Sequence, residues 1–105
     1  MNKRLRKKKG LSKITNEELW DLDYTIAKFI LPRLIRFKEL VSDNKGIHSY
    51  PADLKNMEEW IAILDKMINS FEILKNEFIK NNRENYEKYI EGMNLFAKYI
   101  SDLWD

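Results

Sequence analysis

Two charged side chains fall on the apolar face of one predicted helix, and they are the first residues in the chain that could do chemistry. Asp23 and Arg33 both lie within about 40° of the centre of that face, taking about 100° per residue. Ten residues separate them, which is roughly 15 Å along a straight helix, so they cannot pair with each other directly. A buried charge is costly without a partner. The pattern predicts either a polar pocket with an anion-binding arginine, or two charges that snorkel or pair with other elements.

The single histidine, His48, and the nearby Tyr50 lie in a stretch without helical periodicity. Histidine can act as a general acid or base, but a lone histidine without a nucleophile or a second metal ligand gives little support for catalysis. We expect this stretch to fold over the helices and to be anchored by Tyr50. Together with Trp20, these residues form the predicted binding set of Trp20, Asp23, Arg33, His48 and Tyr50.

Composition excludes several classes of chemistry. The chain has no cysteine, which excludes disulfides, thiolate zinc sites, iron–sulfur clusters and thiol catalysis. One histidine argues against a histidine-based metal site. With three glycines and no Walker, Rossmann or nucleophile-elbow pattern, a phosphate-cradling loop is not expected. Glu58 and Glu59 are explained by helix capping. We therefore expect no metal, no cofactor and no enzymatic activity.

The net charge of +2 conceals two parts of opposite sign. Residues 1–9 carry six bases and no acid, and these are Lys3, Arg4, Arg6, Lys7, Lys8 and Lys9. Removing them leaves 13 bases against 17 acids, a charge of −4 from Gly10 onward. We expect a mobile basic tail over 1–14 and a single helical domain over 15–105. The tail could bind nucleic acid or an acidic protein, or it could be a solvated segment that aids solubility.

The first helix is predicted from about Asn16 to about Val41. Thr15 and Glu18 form a capping box at its start. Its apolar face consists of Leu19, Leu22, Ile26, Phe29, Ile30, Leu34, Phe37, Leu40 and Val41. Pro32 lies inside this run and removes one backbone hydrogen bond. We expect a kink near Lys28–Pro32, or alternatively two short helices.

Two further helices follow a long loop over 42–56. A capping signal at Asn56 starts a helix that reaches about Lys80, and Asn81 or Asn82 starts the last one. The apolar face of the last helix consists of Tyr86, Tyr89, Ile90, Met93, Phe96, Ala97, Ile100, Leu103 and Trp104. No segment has the pattern of a strand. The predicted fold is an all-α three-helix bundle with a kinked first helix and a C-terminal helical hairpin.

Some apolar residues lie off these faces. Trp60 and Trp104 are expected in the core, whereas Trp20 lies near Ala27 and Leu31 at the edge of the first stripe. With Lys38, these could form an exposed apolar patch. Ile73, Leu95 and Tyr99 fall on predicted polar faces. Such residues on several helices favour a homo-oligomer, or a bundle that buries more than one stripe per helix.

Several short segments together resemble a family of small helical proteins encoded by bacteriophages and prophages. The segments are Trp20-Asp21-Leu22-Asp23, Leu31-Pro32-Arg33-Leu34, Tyr50-Pro51, Glu58-Glu59-Trp60, Ile63-Leu64-Asp65-Lys66-Met67, Glu91-Gly92, Leu95-Phe96-Ala97 and Leu103-Trp104-Asp105. The resemblance spans roughly residues 19–105 and carries no known activity, cofactor or catalytic residue. It implies a phage or prophage gene that acts in a bacterial cytoplasm.

Three functions are compatible with these patterns. The first is a non-enzymatic phage accessory protein that binds a host or phage protein and counteracts host defence. The second is an oligomeric sponge that holds a nucleotide-derived signal, with Arg33 at the phosphate. The third is nucleic-acid binding through the basic tail. The longest apolar run is too short to cross a bilayer, so we expect no membrane association.

Overall fold

A computed structural model describes residues 10–43, 46–76 and 82–104 of the chain. All regular structure in these ranges is helical, as predicted. The helices are α1 (Asn16–Trp20), α2 (Leu22–Ser42), α3 (Met57–Lys75) and α4 (Arg83–Tyr99), with short 3-10 turns at Leu11–Lys13 and Ile100–Asp102. No helix in these ranges combines the length and apolarity needed to cross a bilayer. The basic residues of the predicted tail, Lys3 to Lys9, lie outside the described part of the chain.

The first predicted helix is divided at Asp21. The capping box before it is confirmed, because the Thr15 hydroxyl accepts from the Glu18 N–H (3.3 Å) and the Glu18 carboxylate accepts from the Thr15 N–H (2.8 Å). The helix that it starts lasts five residues, since Asp21 adopts φ −124° and ψ 62°, outside the helical region. α2 then runs through Pro32 without a break. The alternative of two helices in place of one is therefore borne out in number, but their boundary lies at Asp21 rather than near Pro32, and the kink at Pro32 stays a prediction.

The predicted starts of the other two long helices are confirmed. The Asn56 side chain accepts from the Glu59 N–H (2.9 Å), and the Asn82 side chain accepts from the Glu84 N–H (2.9 Å). α3 ends at Lys75 rather than at Lys80. The predicted continuation falls within residues 77–81, which lie outside the described ranges, and the hairpin between the last two helices stays a prediction.

Helix α3 is the centre of the fold, because α2 and α4 both pack against it while α1 packs against α2. Trp60 on α3 is fully buried, as predicted. The ring of Phe37 from α2 meets it edge-on at a centroid distance of 6.4 Å, and Tyr99 from α4 does so at 5.6 Å. The buried cluster comprises Ala27, Leu31, Leu34, Val41, Ile47, Trp60, Leu64, Met67, Phe71 and Tyr99.

The faces that pack differ from those predicted on α2 and α4. Ala27 and Leu31, expected in an exposed patch, are buried. Tyr99 and Ile73, expected on polar faces, are also buried, and Trp104, expected in the core, is 66% exposed. The predicted core positions that are exposed instead are Leu19, Leu22, Ile26, Phe29, Tyr86, Ile90, Ala97 and Ile100.

Close approach at Gly92 accounts for the orientation of α4. A Cβ atom added at this position would overlap the Ser70 side chain and the Lys66 carbonyl oxygen, so only glycine allows this contact. The Ser70 hydroxyl, itself fully buried, donates to the Tyr89 carbonyl at 2.6 Å. This contact turns the Gly92 side of α4 toward α3 and leaves Tyr86 and Ile90 exposed.

Candidate functional site

The five predicted binding residues are all exposed and do not form one site. Trp20 ends α1 and is 74% exposed. Asp23 lies in the first turn of α2, where its carboxylate accepts from the Tyr24 N–H (2.9 Å). His48 and Tyr50 lie in the segment before α3. Arg33 lines both of the concave surfaces described below, whereas the other four residues line neither.

The first concave surface is the α1–α2 cleft, which has a volume of ≈ 590 Å³. The turn at Asp21 sets α1 at an angle to α2, and the Thr25 hydroxyl holds it there by donating to the Glu18 carbonyl (3.0 Å). The cleft is lined by Glu17, Glu18, Asp21, Tyr24, Thr25, Lys28, Phe29 and Arg33. Three carboxylates thus face two cations.

Arg33 is fixed in position at the edge of this cleft. One guanidinium nitrogen donates to the Phe29 carbonyl at 2.8 Å, and the guanidinium carbon lies 3.8 Å from the centroid of the Phe29 ring. A cation over an aromatic face is a stabilising arrangement. Neither Asp23 nor Arg33 is buried, because α2 presents its Ala27 side to α3. Neither residue therefore places a charge in the core.

The second concave surface is the α2–α4 groove, with a volume of ≈ 320 Å³. It lies where the two helices that flank α3 approach each other. The lining consists of Ile30, Arg33, Leu34, Phe37, Phe96, Ile100 and Leu103, so every residue except Arg33 is apolar. The aromatic contacts of Phe37 with Trp60 and of Phe96 with Phe71 (5.0 Å) hold the groove side chains in place.

The segment before α3 is tied to α4 by a contact that the sequence did not predict. The Tyr99 hydroxyl donates to the Asp53 carboxylate at 2.8 Å, and the Lys98 ammonium lies 3.6 Å from the same carboxylate. The Tyr99 hydrogen bond and the Lys98 charge hold the pKa of Asp53 below its usual value. The Tyr99 side chain and the Asp53 carboxylate raise the pKa of Lys98.

Tyr50 makes a local contact in this segment. Its hydroxyl donates to the Lys55 carbonyl (3.4 Å), while Ile47 and Pro51 are the buried residues on either side of it. The segment is thus anchored by Ile47, Pro51 and the Asp53–Tyr99 hydrogen bond more than by Tyr50, which is 42% exposed. In the part of the chain that the structure describes, no three histidine, aspartate or glutamate side chains are grouped so that they could hold a metal ion.

The geometry therefore offers a mixed-charge cleft, an apolar groove and Arg33 between them, and the chemistry of these surfaces suits binding. No known protein family, no curated protein and no solved structure matches the chain, so its own residues and contacts carry the functional argument.

Proposed function

We propose that the chain is a non-enzymatic binding protein of phage or prophage origin that holds a segment of a host or phage protein in the α2–α4 groove. Its site of action is the cytoplasm of the bacterial host, where it counteracts host defence. The observation that carries the binding proposal is the apolar lining of the groove, with six apolar side chains and one cation. The sequence resemblance alone supports the phage origin.

The size of the groove suits one or two large apolar side chains of a partner. Amphipathic helices bind in such grooves by inserting apolar residues spaced three or four positions apart. Ile100 is 54% exposed at the rim, so its apolar surface is available for contact. Arg33 also lines the groove and can pair with a carboxylate on the partner segment, which gives the site a preferred orientation.

The surroundings of Arg33 favour a polypeptide over a nucleotide. Glu17, Glu18 and Asp21 line the same cleft as Arg33 and Lys28, so the acids outnumber the bases. This charge balance disfavours a phosphate group. The nucleotide sponge and nucleic-acid binding through the basic tail stay alternatives, and the tail itself lies outside the described residues.

Site-specific photo-crosslinking in a bacterial host tests the proposal. A photoreactive amino acid at position 100 should give one dominant protein adduct, identified by mass spectrometry. The same group at position 35 should not give that adduct. Ile35 is also an exposed isoleucine, but it lines neither the cleft nor the groove.

A pair of point variants then tests the role of the groove. Ile100→Asp should reduce capture of the identified partner at least tenfold, because a carboxylate would be desolvated in an apolar contact. Ile35→Asp should capture the partner as the unmodified chain does. Equal capture by both variants, with circular dichroism showing both folded, would exclude the groove as the binding surface.

A further inference from the structure

Charge is divided sharply along the segment that forms α1 and most of α2. Residues 14–27 contain four acids and no base, and residues 28–38 contain four bases and no acid. The acids are Glu17, Glu18, Asp21 and Asp23, and the bases are Lys28, Arg33, Arg36 and Lys38. The segment therefore carries two equal and opposite halves that meet between Ala27 and Lys28.

Most of these charges have no ionic partner within the fold. Lys38 pairs with Asp65 on α3, and Arg36 pairs with Glu39 one turn along α2. Among residues 10–43, 46–76 and 82–104, no ion pair involves Lys28, Arg33 or any of the four acids. The opposite halves are thus available to pair with charges on another molecule.

An exposed apolar stripe crosses the boundary between the halves. Leu22, Ile26 and Phe29 are spaced four and three residues apart, so they share one face of α2. All three are exposed, with Ile26 at 46%. This face lies away from α3, on which α2 packs through Ala27 and Leu31.

We propose that this face binds a second copy of the same chain, with the two α2 helices antiparallel and Ile26 at the two-fold axis. In a two-fold interface the same patch contributes from both copies, so the patch must complement itself. Antiparallel pairing places the acidic half of each copy against the basic half of the other. Parallel pairing would place like charges together, which is unfavourable.

The position of the axis follows from the charges. The acids lie on α1, at the turn after it and in the first turn of α2, and the bases lie on α2 from Lys28 onward, so an antiparallel two-fold axis between the groups, near residue 26 or 27, directs the acids of each copy toward the bases of the other. Ile26 is the exposed apolar residue at this point. With Ile26 opposite itself, Leu22 of one copy lies opposite position 30 of the other.

The available area predicts a weak and salt-sensitive dimer. Leu19, Leu22, Ile26 and Phe29, each roughly half exposed, offer about 400 Å² per copy if a fully exposed large side chain presents about 200 Å². Stable interfaces need about 800 Å² per partner. The charged flanks must supply the rest, and salt screens such contacts. The dissociation constant should therefore rise at least fivefold between about 0.05 M and 0.5 M salt.

Sedimentation of the full chain tests the dimer. The unmodified chain should be dimeric at low salt, and Ile26→Glu should be monomeric at the same concentration. Ile35→Glu is the matched control, since it adds the same charge to the same helix off the stripe, and it should remain dimeric. A monomeric unmodified chain at about 1 mM protein, or a dimer unaffected by Ile26→Glu, would overturn the proposal.

Cysteine crosslinking tests the direction of pairing, because the chain has no native cysteine. Ile26→Cys should form a disulfide-linked dimer upon mild oxidation. Leu22→Cys should not, because its two copies would be about 12 Å apart along the antiparallel helices, beyond the reach of a disulfide. Efficient linkage through Leu22→Cys would indicate parallel pairing and overturn the antiparallel arrangement.

Charge reversal tests the pairing of the two halves. A Lys28→Glu/Arg33→Glu variant and a Glu17→Lys/Asp21→Lys variant should each be monomeric, because each places like charges against its own copy. An equimolar mixture should form a heterodimer, since the altered halves complement each other. If the mixture stays monomeric, charge pairing does not hold the interface.

Ile26 lines neither concave surface, so partner capture at the groove should survive Ile26→Glu and the two proposals can fail separately.

Discussion

Tyr99, the last residue of α4, and Ile100, the first residue of the 3-10 turn that follows it, are both apolar but differ in burial. Tyr99 is 4% exposed against Trp60, whereas Ile100 is 54% exposed at the groove. Isoleucine is the more hydrophobic of the two, so hydrophobicity does not decide which one is buried. The close contact at Gly92 decides it, because a helix packs most tightly on the side where small residues let the backbones approach.

Helix α2 follows the same rule. Ala27 is fully buried against the core, while its neighbour Ile26 is exposed. Phe29 is exposed and Leu31 is buried, although both lie in one continuous apolar run. The packed sides of α2 and α4 thus hold the fold together, and apolar residues on their outer sides remain exposed. The following experiments test this division.

The largest effect is expected from truncating the central indole. Trp60→Ala should lower the free energy of unfolding by about 3–5 kcal/mol, because it removes the side chain that both flanking helices contact. Trp104→Ala, at a 66% exposed position, should change it by less than about 0.5 kcal/mol. Chemical denaturation of both variants measures the difference. Similar losses in the two would show that Trp104 is also packed.

A methyl group at Gly92 should separate α3 from α4. Gly92→Ala should destabilise the fold by about 1–3 kcal/mol through overpacking, even though alanine favours helix by about 1 kcal/mol. Ala97→Leu adds a larger group to the exposed side of the same helix and should change stability by less than about 0.5 kcal/mol. If Gly92→Ala raises the denaturation midpoint, close approach does not orient α4.

Loss of the buried hydroxyl at the same contact should have a smaller effect. Ser70→Ala removes the hydrogen bond to the Tyr89 carbonyl and should cost about 0.5–1.5 kcal/mol. Ser42→Ala, at the exposed end of α2, is the matched control and should leave the denaturation midpoint unchanged. If Ser70→Ala leaves the free energy of unfolding unchanged, the contact depends only on the small size of the side chain at position 70.

The smallest effect concerns the tie between the loop and α4. The lowered pKa of Asp53 means that its contribution to stability is present above the usual carboxyl pKa, about 4, and is lost as pH falls through the folded value. The raised pKa of Lys98 matters at alkaline pH, because the contribution of Lys98 to stability is lost as pH rises through its pKa in the folded state. Tyr99→Phe should return the pKa of Asp53 toward its usual value and reduce the acid sensitivity.

Carboxyl NMR titration of Asp53 measures this shift directly. Tyr50→Phe removes a hydroxyl from the same segment that donates to a backbone carbonyl instead, so it should leave the Asp53 titration unchanged. An unchanged Asp53 pKa in Tyr99→Phe would show that Lys98, and not the hydroxyl, lowers it.

The parts of the fold that were predictable depend on residues close together in sequence. Thr15 with Glu18 and Asn56 with Glu59 are three residues apart, and their side chains reach the backbone of the same turn. The side of α4 that packs depends on Gly92 and Ser70, which are 22 residues apart. Periodicity could not choose between two apolar stripes on one helix, because both have the same spacing.

The contacts of the candidate site also differ in how far apart in sequence their residues lie. The contact of Arg33 with Phe29 follows from their separation by one helical turn, but it was missed because Phe29 was expected in the core. The Asp53–Tyr99 hydrogen bond joins residues 46 positions apart and has no local signal. The α1–α2 cleft depends on the turn at Asp21, a position that has no glycine or proline to mark it.

Helix α1 contains no buried residue, and within the described ranges one side-chain hydrogen bond joins it to α2, from the Thr25 hydroxyl to the Glu18 carbonyl. Such a segment can open without disturbing the core. Its backbone amides should exchange with deuterium far faster than those around Trp60, Leu64 and Met67, which exchange when the whole chain unfolds. We therefore expect α1 to open and close independently of the core. The acids that it carries can then adjust to a bound molecule at little cost to the stability of the fold.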